Sequence, residues 1–200
     1  MKCNIQSAQR VMANDDSNLD GLRIIIGLTG GIACYKVAGL VSKLVQAGAI
    51  VDVLMTKAAT RFIAPLTFAS LTGRPVFDSQ WTYVDGHGPQ HIKLATSADV
   101  MLIAPCTMDM LGKLANGMTD DPVSLVTSAI DRSKTSVLLA PSMNETMLRQ
   151  PSTIRNINTL REDGYIIIEP EDGWQACKHV GTGRLPESDA LFEALNAVLG

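Results

Sequence analysis

Two hundred residues, 46% of them hydrophobic and 18% charged, suffice for one long domain or two short ones around a sizeable core. A net charge of −3 leaves no basic footprint for nucleic acid or an anionic membrane surface. No apolar run approaches the roughly 20 residues that span a bilayer.

The chain opens on a polar stretch, residues 1–20, without the apolar region of a secretory signal, and this reads as an arm outside a domain occupying 21–200. Residues 22–28 (LRIIIGL) form a β-branched run that predicts a strand. Residues 32–47 place Val37, Leu40, Val41, Leu44 and Val45 at helical spacing, with Gly48 as the stop. A second strand follows at 50–55 and a second helix at 58–71. The segment 73–90, rich in Gly, Pro, Asp and aromatic residues, has no period and is expected to be a long loop with at most a short strand. The pattern resumes with a strand at 98–104 (ADVMLIA), helices at 108–116 and 122–130, and a strand at 136–140. A helix over 152–163, capped by Ser152 and ended by Gly164, leads into a strand at 165–168. Residues 173–183, glycine-rich around Cys177, read as a flexible loop, and a helix over 189–199 follows. Such alternation describes a single-domain α/β fold: a three-layer, doubly wound (Rossmann/flavodoxin-like) parallel sheet of about six strands.

In sheets of this kind ligands bind at the carboxyl ends of the strands, in turns that lead into helices. That rule selects 29–31, 56–57, 105–109 and 141–144. The first turn, within GLTGGIA, sets Gly30 and Gly31 between a strand and a helix amino terminus. Free N–H groups and the helix dipole there favour an anion such as phosphate. The GxxGG spacing fits the dinucleotide and P-loop fingerprints poorly, and a tight turn that needs glycine for its own geometry is the alternative. Thr56 either donates its hydroxyl to the same anion, with Lys57 nearby, or caps the helix that follows; both hold if a phosphate sits over two adjacent helix starts. The four cysteines, Cys3, Cys34, Cys106 and Cys177, lack CxxC or other ligand spacing. That argues against a disulfide framework and against a metal site, and fits a reducing cytoplasm. Cys34 and Cys106 read as packing residues.

Three later segments, HIKLATSADVMLIAPCTMDMLGKLANGMTDD, APSMNETM and QACKHVGTGRLPE, resemble in order and spacing the family of flavin-dependent cysteine decarboxylases. The resemblance spans roughly residues 22–187. It implies an FMN cofactor held by Gly30, Gly31, Ile32, Thr56 and Lys57. Pro105 to Met110 align with a PASANT-type motif that touches flavin and substrate, so Thr107, Met108, Asp109 and Met110 join the cofactor residues, together with Ser142. Residues 141–147 align with a PxMNxxMW motif whose asparagine, here Asn144, binds substrate beside Met143. His91 matches a histidine implicated in catalysis, or is a structural histidine at the start of a short helix. Cys177 matches the thiol of a mobile loop that closes over the substrate, or is a free loop cysteine. Lys178, His179 and Arg184 are candidates to counter a substrate phosphate; His87 has a weaker claim to a role.

The implied chemistry explains these residue types. A carboxylate beta to a thiol does not leave unaided, because the carbanion is unstabilised. Oxidising the thiol to a thioaldehyde places an electron sink one carbon away, and CO2 departs to give an enethiolate. The two-electron oxidation belongs to the flavin, while the protein positions the thiol, holds the carboxylate and manages protons. An imidazole, with an ordinary pKa of about 6.5, suits that last task. Protonation of the enethiol by Cys177 while the reduced flavin returns hydride makes the cycle redox-neutral, which points to conversion of 4′-phosphopantothenoylcysteine to 4′-phosphopantetheine in coenzyme A synthesis. The alternatives are decarboxylation of a peptidyl cysteine in a ribosomal peptide pathway, and a flavin-binding regulatory subunit without turnover. The resemblance also implies a homotrimer or dodecamer with flavin sites between subunits, acting on a small phosphorylated substrate. Three positions depart from the family pattern: Asp109 stands for Asn, Leu148 for Trp and Lys178 for Gly. An acid at 109 sets a like charge near an expected substrate carboxylate, so Asp109 must be protonated, turned away or partnered by a cation.

Overall fold

The computed structural model describes residues 19–81, 89–174, 176, 178 and 180–200. Five parallel strands, β1 (Arg23–Leu28), β2 (Ile50–Met55), β3 (Val100–Cys106), β4 (Ser136–Pro141) and β5 (Ile166–Ile167), form one sheet in the order β2-β1-β3-β4-β5. The inner strands are near-continuous apolar runs because both their faces are covered. Successive residues alternate between two cores: Ile24, Ile26 and Leu28 enter one, Ile25 the other. The first core is closed by α1 (Cys34–Gln46), α2 (Pro65–Thr72) and α8 (Ser188–Leu199). The second is closed by α3 (Gln90–Ser97), α4 (Met108–Ala115), α5 (Pro122–Ala129) and α7 (Pro151–Glu162). The chain leaves β1 for β2 on one side and returns to β3 on the other, so the strand order reverses between β1 and β3. A crevice at the carboxyl ends of these two strands follows from that reversal.

The structure departs from the sequence reading at three places. The helix expected over 58–71 is divided into a 3₁₀ turn, Ala59–Arg61, and α2, because Pro65 starts a new helix and holds Ala64 extended at ψ 139°. The long loop keeps to expectation over its described residues, where Phe77 bridges to Leu54 and its N–H bonds Val53 O at 2.9 Å. Ser152 does not cap α7: Pro151 takes the first helical position and Gln150 the cap, which places Ser152 inside the first turn. The stretch 173–183 holds strand residues rather than loop alone. Here β6 (Glu171–Trp174) and β7 (Val180–Arg184) pair antiparallel as a separate two-stranded sheet, so the parallel sheet has five strands. Gly173 opposes Gly181 in that hairpin, and a Cβ on Gly181 would lie 2.6 Å from Glu145 Oε2. The missing side chain lets the hairpin lie against α6 (Glu145–Leu148).

Leu19 is already buried in the first core and its N–H bonds Ala47 O at 3.2 Å. Among the described residues no helix is long and apolar enough to cross a membrane.

Candidate active site

The carboxyl ends of β1, β3 and β4 open onto a cavity of about 1110 Å³. Thr29, at the end of β1, is buried and joins two of its walls. The Thr29 hydroxyl donates to Pro105 O at 2.6 Å and accepts the Thr107 N–H at 3.0 Å. Thr107 in turn caps α4 by accepting the Met110 N–H at 3.4 Å. The turns after β1 and β3 are therefore positioned by one another.

The two glycines of the first turn serve different ends. A Cβ on Gly30 would lie 2.5 Å from Ala58 Cβ, so this glycine allows the turns after β1 and β2 to touch. A Cβ on Gly31 would meet nothing closer than Pro105 Cγ and Thr107 Cγ2 at 3.6 Å, an ordinary contact, and Gly31 is not in the left-handed region. The fold does not require glycine at 31. An added methyl there would occupy space at the cavity wall beside Pro105 and Thr107, which points to a ligand that approaches the backbone. Helix α1 begins beside it without a side-chain cap and without an acid in its first turn. The N–H groups of Gly31, Cys34 and Lys36 bond Thr29 O, Gly31 O and Ala33 O at 2.8, 3.1 and 3.0 Å, while the positive end of the helix dipole favours an anion there. Thr56 Oγ accepts the Ala59 N–H at 3.2 Å, which is the capping reading, and the residue also lines the cavity next to Lys57.

The third wall is the turn after β4. Ser142 N–H bonds Cys106 O at 3.1 Å, and Met143 N–H bonds Gly183 O at 3.0 Å, which fixes the β6–β7 hairpin to this turn. Asn144 caps α6 by accepting the Thr146 N–H at 2.9 Å. The fourth wall is acidic. Lys113 Nζ lies 2.9 Å from Asp121, 3.0 Å from Asp120 and 3.6 Å from Asp109. Of the three outcomes open to Asp109, partnership with a cation is the one observed. On the far side Lys36 bonds Leu185 O and Glu187, at 3.1 and 3.0 Å, and Arg184 pairs with the same Glu187.

Gly30, Gly31, Ile32, Thr56, Lys57, Thr107, Met108, Asp109, Ser142, Met143, Asn144 and Arg184 all line this one cavity. Met110 does not: it is fully buried in the second core, because one residue beyond Asp109 a helix has turned by about 100°. His91 sits half-buried at the start of α3 and is not part of the cavity lining. Lys178 does not line it either, and holds φ 61°, a left-handed conformation suited to the glycine it replaces. Cys177, His179 and His87 lie outside the described residues. Lys36, Lys113, Asp120, Asp121 and Trp174 line the cavity and were not singled out from the sequence, while Thr29 lay in a selected turn without a role of its own. Lys113 had a signal, its i, i+4 spacing from Asp109; the others depend on how helices and hairpin meet.

Cys34 and Cys106 are buried, and burial pushes both thiols above the ordinary range. Cys34 Sγ donates to Thr29 O at 3.1 Å, which supports its packing role beneath the first turn. Among the described residues no group of three His, Cys, Asp or Glu side chains could hold a metal ion. The cavity thus joins an anion-favouring helix end to apolar surface from Ile32, Met108, Met143, Met147 and Trp174, which suits a ligand with a phosphate and a broad planar ring.

Residues 12–200 match the family model described as Flavoprotein. Over 175 residues the chain is 42% identical to the coenzyme A biosynthesis bifunctional protein CoaBC of Bacillus subtilis (strain 168), a match covering 88% of this chain and 42% of that one. It is 44% identical over 170 residues to the protein of the same name from Vibrio cholerae, covering 85% and 42%. The chain therefore spans about two fifths of the length of the curated relatives it matches. Among solved structures, a cysteine-to-serine mutant of PPC decarboxylase complexed with pantothenoylaminoethenethiol aligns with a TM-score of 0.79 at 27% identity, covering 88% of this chain and 97% of that one. The FMN-dependent cysteine decarboxylase SpaF aligns with a TM-score of 0.77 at 28% identity, covering 90% and 97%.

Proposed function

Because this chain belongs to the Flavoprotein family, we propose that it binds FMN in the cavity at the switch point and decarboxylates 4′-phosphopantothenoylcysteine to 4′-phosphopantetheine. One observation carries the reading: three motifs far apart in the chain, at 30–32, 107–109 and 142–144, line a single cavity. Its likeness to the PPC decarboxylase structure and to the coenzyme A biosynthesis proteins supports the substrate.

FMN, when bound, would supply the two-electron oxidation of the substrate thiol that makes loss of CO2 possible, and would return the two electrons to the enethiol. The backbone at Gly30, Gly31 and Ile32, with Thr56 and Lys57, holds its phosphate; Thr107, Met108 and Ser142 line the space for its ring. Asn144, oriented by its place at the start of α6, binds the substrate carboxylate beside Met143. Arg184, fixed by Glu187, faces the cavity from the hairpin and counters the substrate phosphate, with Lys178 as a second candidate. Cys177 returns a proton to the product carbon. His91 manages protons from outside the cavity of its own chain, so its role requires a neighbouring copy in a homotrimer or dodecamer. Reduced, buried Cys34 and Cys106 accord with a cytoplasmic enzyme.

The test is anaerobic incubation of the FMN-loaded protein with phosphopantothenoylcysteine, comparing wild type with Cys177→Ser. Wild type is expected to give a product lighter by CO2 alone. The variant is expected to release CO2, accumulate a product lighter by two further hydrogens and leave a bleached flavin. Normal phosphopantetheine from the variant would remove the donor role of Cys177. A protein that takes up no FMN would end the whole reading.

A further inference from the structure

Among the described residues the cavity lining carries four cations, Lys36, Lys57, Lys113 and Arg184, and three carboxylates, Asp109, Asp120 and Asp121. Their distribution is uneven. All three carboxylates belong to the α4–α5 wall, and the one cation of that wall is Lys113. Lys36 and Arg184, on α1 and the β6–β7 hairpin, are both engaged by Glu187.

The three carboxylates around Lys113 have different structural duties. Asp121 caps α5, its Oδ1 accepting the N–H groups of Val123 and Ser124 at 3.0 and 2.9 Å, and its tie to Lys113 braces α4 against α5. Asp120 joins the same brace from the connecting loop. Asp109 has no comparable duty: it sits in the first turn of α4, is 75% exposed and faces the cavity. Burial works against the Lys113 ammonium, but the carboxylates of Asp121, Asp120 and Asp109 outweigh it and hold its pKa above the ordinary lysine range. Lys113 is therefore a permanent positive charge at this wall.

A ligand carboxylate inside this cavity therefore meets a wall on which carboxylates outnumber cations three to one among the described residues. We propose that Lys113 is a specificity-determining residue: set 2.9, 3.0 and 3.6 Å from Asp121, Asp120 and Asp109, it lowers the negative charge of this wall by one, and so admits a ligand bearing a free carboxylate. This rests on the decarboxylase reading, and it explains how an acid is tolerated where the family pattern has a neutral amide.

The test uses the FMN-loaded protein and two ligands that differ by the carboxylate, phosphopantothenoylcysteine and phosphopantetheine. Binding is read by titration of flavin absorbance, and KM and kcat are measured separately for the first ligand. Lys113→Met is expected to weaken phosphopantothenoylcysteine about tenfold, or about 1.4 kcal/mol, mainly in KM, and phosphopantetheine less than twofold. Adding Asp109→Asn to Lys113→Met is expected to restore binding of the carboxylate ligand. Equal weakening of both ligands, or no recovery in the double variant, would show that Lys113 is a brace and overturn the proposal. Lys113→Gln, which keeps a donor for Asp121, carries the same expectations should the methionine variant not fold; failure of both to fold would also overturn it. Absence of turnover by wild type would strike the decarboxylase reading instead, and the two-ligand titration, which needs no turnover, would still decide the role of Lys113.

Discussion

Adjacent glycines in the first turn give opposite predictions. At Gly30 an alanine methyl would stand 2.5 Å from Ala58 Cβ, whereas carbon atoms in contact prefer about 3.5–4.0 Å, so the two turns must part by about 1–1.5 Å. Forced overpacking of this kind costs about 1–3 kcal/mol, and the shift would also strain the 2.6 and 3.0 Å hydrogen bonds of Thr29 nearby. At Gly31 the same methyl meets protein atoms at 3.6 Å and the backbone lies outside the left-handed region. Removing glycine from the unfolded chain then stabilises the fold by about 0.4–1 kcal/mol. The methyl would nevertheless fill part of the anion cradle, so FMN affinity should fall at least about tenfold. Urea unfolding of both FMN-free variants, with FMN titration followed by flavin fluorescence, separates the two effects. Gly30→Ala should lose stability; Gly31→Ala should keep it and lose FMN. A Gly31→Ala protein that binds FMN like wild type, or unfolds as readily as Gly30→Ala, would refute the assignment of Gly31 to the ligand.

Thr29→Val keeps the shape of the side chain but leaves Pro105 O and the Thr107 N–H without their partner, so a loss of about 2–4 kcal/mol is expected in urea unfolding. A loss below about 0.5 kcal/mol would show that water replaces the hydroxyl. The Ser133 side chain, then Lys134, hold the Asp131 carboxyl down at about 2, below the usual carboxylate value. A depressed folded-state pKa adds stability that is present above about pH 4 and is lost as pH falls towards 2. Asp131→Asn should therefore shrink the fall in melting temperature over that window; an unchanged slope would exclude the contribution. Burial and the raised pKa of Cys34 and Cys106 should keep both unmodified by a disulfide reagent in the folded protein at pH 8, with modification only in denaturant. Rapid native labelling of either, located by peptide mass, would contradict their burial.

Most of the architecture was legible because parallel strands covered on both faces must be continuous apolar runs, and helices against them must repeat every three to four residues. The strands at 23–28 and 50–55 and helix α1 after the glycine turn follow directly. The break at Pro65 was also written in the chain, since proline restricts the residue before it and favours a helix start. The β6–β7 hairpin was not: its glycines carry no period, and only the backbone pairing of Gly173 with Gly181, against Glu145 of α6, makes it ordered. Met110 shows the limit of motif reading. Alignment places it among the flavin residues, but the helix rotates it into the core.

The turns that could bind an anion and an apolar ring were thus determined by local sequence: glycines, strand ends and helix starts act over a few residues. Their meeting at one cavity, the Thr29 bridge between β1 and β3 and the exclusion of His91 from its own chain's cavity were decided by tertiary structure alone, whereas the Asp109–Lys113 pair, at i and i+4 on one helix, is a pattern the chain does record. The former depend on distances between segments as far apart as the turns after β1 and β4, set by strand order and helix packing.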